Sequence, residues 1–181
     1  TLYLQYNRSQ NTSDGPSLTD FGEGVLEALA EAPGDVVVDL RFNTGGNLGV
    51  ASAFFDRLAE AVLPEHRLVA LVGQATFSAG LFHAAQLRLA GATLVGREPG
   101  DRLEYWSEGG NVILPNSGYT LHFANGYHSY SGNPDPGVDR IFRSLSVGSL
   151  EPDVPVRTTS GDYFAGRDPL LDAALEVIGS F

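Results

Sequence analysis

The sequence predicts an α/β fold: a layered core with a mostly parallel sheet flanked by helices, followed by an antiparallel β hairpin and a long loop. Three observations carry this. Short apolar runs rich in β-branched residues, Val36–Leu40 and Leu68–Val72, read as strands buried on both faces. Longer segments with apolar residues at helical spacing lie between such runs, so strand and helix alternate. After residue 96 the alternation stops and Gly, Ser, Pro and Asp become frequent. With 181 residues and 43% apolar content the chain is expected to form a single domain over residues 1–181.

The elements follow in order. Leu2–Tyr6 alternates and reads as the first strand. Residues 7–16 form a polar loop with glycosylation triplets at Asn7 and Asn11. Phe21, Val25, Leu26 and Leu29 mark one face of a helix over Phe21–Ala32, capped by Ser17 or Thr19 and ended by Pro33-Gly34. Val36–Leu40 is the second strand, and the turn Arg41-Phe42-Asn43-Thr44-Gly45-Gly46-Asn47 follows it. A helix over Val50–Leu63, a strand over Leu68–Val72, a helix over Ala79–Leu89 and a strand over Ala92–Val95 continue the pattern. Asn111–Leu114 and Tyr119–Ala124 form a hairpin around Pro115-Asn116-Ser117-Gly118. Residues 125–149 read as one long loop. Val154–Arg157 is a last strand, and Asp168-Pro169 opens a terminal helix reaching Ile178.

Composition narrows the partners. The net charge is −11 and no basic cluster exists, which disfavours nucleic acid, since phosphate contacts need grouped Lys or Arg. No apolar run approaches the roughly 18 residues of a membrane span, and the start has no signal-peptide pattern. All 11 basic residues are Arg. Cys is absent, removing thiolate chemistry and Cys-ligated zinc. Met is absent even at position 1, so the expectation is a processed chain or a piece of a longer one. No histidine pair has metal-ligand spacing, and no cofactor or metal is expected.

Two turns could carry chemistry. Ser78 stands where the strand Leu68–Val72 hands over to a helix, so it is either a helix N-cap or a nucleophile. The free N–H of Ala79 at the helix start is placed to bind an oxyanion. Gly45-Gly46 is either an ordinary turn or a second source of oxyanion donors, from Gly45 or Gly46. Its spacing with Gly49 does not fit a dinucleotide fingerprint. In a parallel sheet both turns lie at the carboxyl ends of strands, the usual place for a site. As general base or acid, His128 in the long loop and Glu98 or Asp101 after the fourth strand are candidates. His83 lies five residues past Ser78, about 140° around the helix, and reads as a partly buried helix residue. His122 reads as a strand residue facing away from Leu121 and Phe123, and His66 as surface.

Six stretches, in order, resemble the core of the tail-specific (C-terminal processing) serine peptidases, family S41. They are Val38–Asn47, Thr76–Ala79, Leu94–Gly96, Leu114–Gly118, Glu151–Val156 and Ala165–Pro169. The chain is most similar to the branch that includes bacterial homologues of interphotoreceptor retinoid-binding protein. The resemblance implies a crotonase- or Clp-protease-like core, Ser78 as nucleophile, and an oxyanion hole from Ala79 and the Gly45-Gly46 turn. It implies a peptide or protein substrate and favours an extracytoplasmic location. Family members commonly activate the serine with a lysine just beyond a Val-Gly-Glu-Pro-like turn. Here that turn is Val95–Pro99, the matching position falls near Arg102, and arginine cannot serve as a base. Another branch pairs an upstream histidine with a downstream glutamate, where this chain has Ser146. The alternatives are a catalytically silent module holding a retinoid or fatty acid, or a core that receives its base from elsewhere in a larger peptidase. No segment resembles a PDZ insertion.

Overall fold

The structure, a computed structural model, describes residues 1–62 and 64–180. Along the chain the elements are β1 (Leu2–Gln5), α1 (Leu18–Glu31), β2 (Val36–Asp39), a 3-10 turn (Leu48–Val50), α2 (Ser52–Ala61), β3 (Leu68–Val72), α3 (Ala79–Leu89) and β4 (Thr93–Gly96). Then come β5 (Glu104–Ser107), β6 (Gly110–Ile113), β7 (Thr120–Phe123), β8 (Gly126–Ser129) and β9 (Ile141–Ser144). The chain closes with β10 (Val154–Pro155), α4 (Ser160–Phe164) and α5 (Pro169–Gly179). It divides into two compact units, Thr1–Asp101 with Leu150–Phe181, and Arg102–Ser149.

The first unit is built on a five-stranded sheet in the order β1-β2-β3-β4-β10, with every neighbouring pair parallel. β2 and β3 are buried along their whole length, which is why they read as continuous apolar runs. The strand order advances in one direction through β1 to β4. Right-handed crossovers then put α1, α2 and α3 on the same face of the sheet, where they pack side by side. Val37, Val69, Leu71 and Val95 form the opposite face, and Leu170 and Ala174 of α5 cover it. Ser17 caps α1 in a reciprocal capping box with Asp20.

A buried ion network ties β1, β2 and α5 together on this second face. Asp39, fully buried at the end of β2, takes the Arg41 guanidinium at 2.7 Å and the Tyr3 hydroxyl at 2.6 Å. Arg41 also grips Asp168, whose carboxylate caps α5 by accepting the Leu171 N–H at 3.1 Å. The Arg41 hydrogen bonds hold the Asp168 carboxyl below the usual carboxylate range. Burial, reinforced by Asp39, pushes the Tyr3 phenol up to about 12. Such a network fixes orientation more than it adds stability, because desolvation offsets much of the attraction.

The second unit holds a three-stranded sheet, β5-β8-β9, and the separate hairpin β6-β7. The hairpin matches the sequence expectation. The expected long loop over 125–149 does not: it contains β8 and β9. β8 is buried at every residue yet carries Tyr127, His128 and Ser129, so no apolar alternation reveals it. Its partners β5 and β9 lie some distance away in sequence, so the pairing leaves no local signal. α4 was likewise not expected; it is short and stands on a capping box between Thr159 and Asp162. The predicted helix over 50–63 is a 3-10 turn followed by α2, and its last residue, Leu63, lies outside the described residues.

His83 is fully buried on α3, more deeply than its position suggested, with its ring 4.5 Å from that of Phe55. Burial pushes its imidazole down to about 4, with a hydrogen bond to Gln86 opposing the shift. The unfolded chain therefore takes up a proton at His83 that the folded chain refuses. Stability from this group is complete above about pH 6.5 and declines as pH falls toward 4, by on the order of 3 kcal/mol. Urea denaturation across this range is expected to show the decline, and a His83→Phe variant to flatten it.

Candidate active site

The turns after β1, β2 and β3 meet at the carboxyl edge of the parallel sheet. Asn43 joins them. It is fully buried, and its side-chain amide donates to the Tyr6 carbonyl and accepts the Gly45 N–H, both at 2.9 Å. Its backbone donates to the Leu40 carbonyl at 3.0 Å and accepts the Phe77 N–H at 2.9 Å. Thr76, also fully buried, adds a second tie: its hydroxyl donates to the Leu40 carbonyl at 2.8 Å and accepts the Gly73 N–H at 3.0 Å. The Ser78 turn is thus held from both sides by the turn that carries Gly45 and Gly46.

Ser78 has φ 53° and ψ −120°, a region that L residues rarely adopt and that costs of order 1–3 kcal/mol. It occupies the N-cap position of α3, yet its hydroxyl makes no capping hydrogen bond. The plain N-cap role is therefore not realised. Gly45, at φ 108°, lies against it: a Cβ on Gly45 would stand 2.6 Å from the Ser78 Cβ and 3.0 Å from its hydroxyl. Ala79 follows as the first residue of α3, and no hydrogen bond engages its N–H among the described residues.

The two glycines divide their duties. The N–H of Gly45 is committed to Asn43, so its contribution at this turn is room for Ser78. The N–H of Gly46 has no hydrogen-bond partner among the described residues. The carbonyl of Gly45 accepts the Ser9 N–H at 3.0 Å, and the Asn47 N–H donates to the Ser9 carbonyl at 2.7 Å. Gly46 itself, at φ 132°, is pressed against the Ser9 carbonyl where a side chain would not fit. Two uncommitted backbone donors, Ala79 and Gly46, flank the serine in sequence and at the neighbouring turn. That is the equipment of an oxyanion site at a helix N-terminus.

The predicted acids and bases belong to different units. Glu98 is exposed after β4, in a cleft of about 470 Å³ shared with Gln74, Arg97, Glu151 and Arg157. His128 belongs to the second unit, on β8 rather than in a loop. Its ring stacks on Tyr105 at 4.7 Å, with Nδ1 3.1 Å from the Tyr130 hydroxyl and Nε2 3.4 Å from a Glu108 carboxylate oxygen. Burial moves its imidazole below the ordinary value, against the pull of Glu108. His122 sits on β7 beside Asn111, and His66 lies 3.8 Å from Asp35. No side chain hydrogen-bonds the Ser78 hydroxyl among the described residues, and none of them forms a cluster fit to hold a metal ion. Sequence reasoning missed the fixing roles of Asn43, Thr76 and Ser9. Each lies four residues past the end of its strand, β2, β3 or β1, and that shared placement of a polar residue in the turn was the available signal.

Neither a family model nor a curated protein matches the sequence. Solved structures do. A protein of Parabacteroides merdae assigned as a peptidase superposes with a TM-score of 0.56 and 18% identity, over 97% of this chain and 60% of its own length. A photosystem II D1 C-terminal processing protease matches with a TM-score of 0.50 and 16% identity, over 85% of this chain and 42% of its own. The chain thus spans less than two thirds of either structure. The likeness is one of fold, and it is the fold that the S41 resemblance implies.

Replacing Asn43 by Ala would leave the Gly45 N–H and the Tyr6 carbonyl buried without their partner. A loss of about 2–4 kcal/mol in urea unfolding is expected. Asp at this position sets a buried carboxylate oxygen against the Tyr6 carbonyl and is expected to lose at least as much.

Proposed function

We propose that this chain is the core of a serine-type peptidase that cleaves peptide bonds through an acyl-enzyme at Ser78. The observation that supports it most is the backbone of Ser78. A serine is held at φ 53° at a strand-to-helix junction, with its hydroxyl unused as a cap, beside uncommitted N–H groups. Strain of this kind concentrates at functional sites.

In this mechanism the Ser78 Oγ forms a bond to the substrate carbonyl carbon as its proton passes to a base. The carbonyl π electrons move onto oxygen, and the N–H groups of Ala79 and Gly46 stabilise that oxyanion. Collapse breaks the C–N bond, and the leaving amine takes the proton back. Water then repeats the sequence on the ester and frees Ser78. Gly45 serves by leaving space next to the hydroxyl. The substrate is a peptide or protein.

A Ser78→Ala variant is expected to keep its melting temperature and lose peptidase activity by about 10³-fold or more. Retained activity would refute the assignment. Two further variants identify the base. A loss of about 10²-fold or more in His128→Gln, with Glu98→Gln near wild type, assigns the proton to His128, and the reverse pattern assigns it to Glu98. Near-normal activity in both places the base elsewhere.

A further inference from the structure

Three buried polar side-chain atoms of the first unit have no hydrogen-bond partner within normal distance: the Tyr6 hydroxyl, the Ser9 hydroxyl and His83 Nε2. Buried polar atoms are almost always paired, so a group of three calls for an explanation. Their chemistry is complementary. Gln86 donates its amide to Ser52 Oγ and Asp56 Oδ1, both at 3.0 Å, which turns its carbonyl oxygen toward His83 Nδ1 at 2.8 Å. That oxygen only accepts, so Nδ1 carries the imidazole proton and Nε2 presents a bare lone pair. The Tyr6 ring stands edge-on to the imidazole at 5.7 Å, and both rings pack on Phe55. Burial pushes the Tyr6 phenol above its ordinary value, and the nearby Ser9 hydroxyl opposes that shift. Nε2 can therefore accept one hydrogen bond, and the Tyr6 and Ser9 hydroxyls can each donate one.

The segment that carries these hydroxyls also aims the oxyanion donor. The Gly45 carbonyl and the Gly46 N–H belong to one trans peptide plane and point in opposite directions. Ser9 N–H holds that carbonyl at 3.0 Å, which sets the direction of the Gly46 N–H on the far side. The Tyr6 carbonyl meanwhile holds Asn43, which holds Gly45. Residues 6–9 are thus a strap over the turn. Its backbone sets the peptide, and its side chains reach into the core toward His83.

We propose that Tyr6 donates its hydroxyl to His83 Nε2 through one buried water, and that this link anchors the Tyr6–Ser9 strap so that the Gly46 N–H stays aimed at the oxyanion. Tyr6, Ser9 and His83 are then positioning residues. The inference rests on the peptidase reading for its functional part, while the anchor itself is a structural statement.

The test is a Tyr6→Phe variant, which keeps the ring and removes only the hydroxyl. The expected signature has three parts: a displaced Gly46 amide resonance in ¹H–¹⁵N spectra, a displaced His83 Nε2 resonance with the proton still on Nδ1, and kcat reduced about tenfold with KM within twofold. His83→Leu, which removes the acceptor, is expected to displace the same Gly46 resonance and serves as the readout if Tyr6→Phe does not fold. An unmoved Gly46 amide overturns the proposal, and so does a moved one with kcat unchanged. If Ser78→Ala keeps full activity, the peptidase reading has failed on its own, and the Gly46 and His83 resonances still decide whether the anchor exists.

Discussion

Everything near Ser78 depends on one buried amide. Asn43 has four hydrogen bonds from its backbone and side chain, and they reach the turns after β1, β2 and β3 together. Each partner is a main-chain group at the edge of the sheet, where strand pairing has ended and backbone donors and acceptors would otherwise lie unsatisfied. Gly80 permits this closeness, since a Cβ there would stand 2.5 Å from the Asn43 carbonyl. Asn43 and the first turn of α3 are therefore in direct contact. The unfavourable backbone of Ser78 persists because its flanks are held on both sides, at Phe77 by the Asn43 carbonyl and at Gly80 by packing.

The sheet supplies the rigidity this arrangement needs. Consecutive parallel strands with right-handed crossovers place the turns after β1, β2 and β3 at one edge. The buried strands carry no residue that could slip in register without exposing apolar surface. Asp39 and Arg41 extend the same logic to the opposite face by linking β1, β2 and α5 through Tyr3 and Asp168. The turn carrying Gly45 and Gly46 is thus braced beneath by an ion network, on one side by the strap at Ser9, and on the other by the turn of Ser78.

Much of this was legible in the sequence where the signal is local. β3 and α3 fall on the residues predicted, because a fully apolar strand and a long apolar helix declare themselves by length and flanking turns. The junction serine and the double glycine stood out for the same reason. What was not legible depends on contacts between distant residues. β8 is buried although it carries His128 and Ser129, and its place between β5 and β9 explains that. The distinct duties of Gly45 and Gly46 follow from where the Asn43 side chain points and where Ser9 arrives, neither of which leaves a mark in periodicity. The tautomer of His83 is set by Gln86, and the orientation of Gln86's amide by Ser52 and Asp56 on another helix. The absence of lysine, by contrast, is plain from composition and leaves no lysine to act as a base.

The central claim is that Ser78 is a nucleophile held in a strained, pre-organised turn. The most direct measurement is reaction of the purified chain with a fluorophosphonate probe, followed by mass spectrometry of the proteolysed product. One covalent adduct is expected, on Ser78, and it is absent from chain unfolded before labelling. A chain that stays unlabelled, or carries the adduct on another serine, would contradict it.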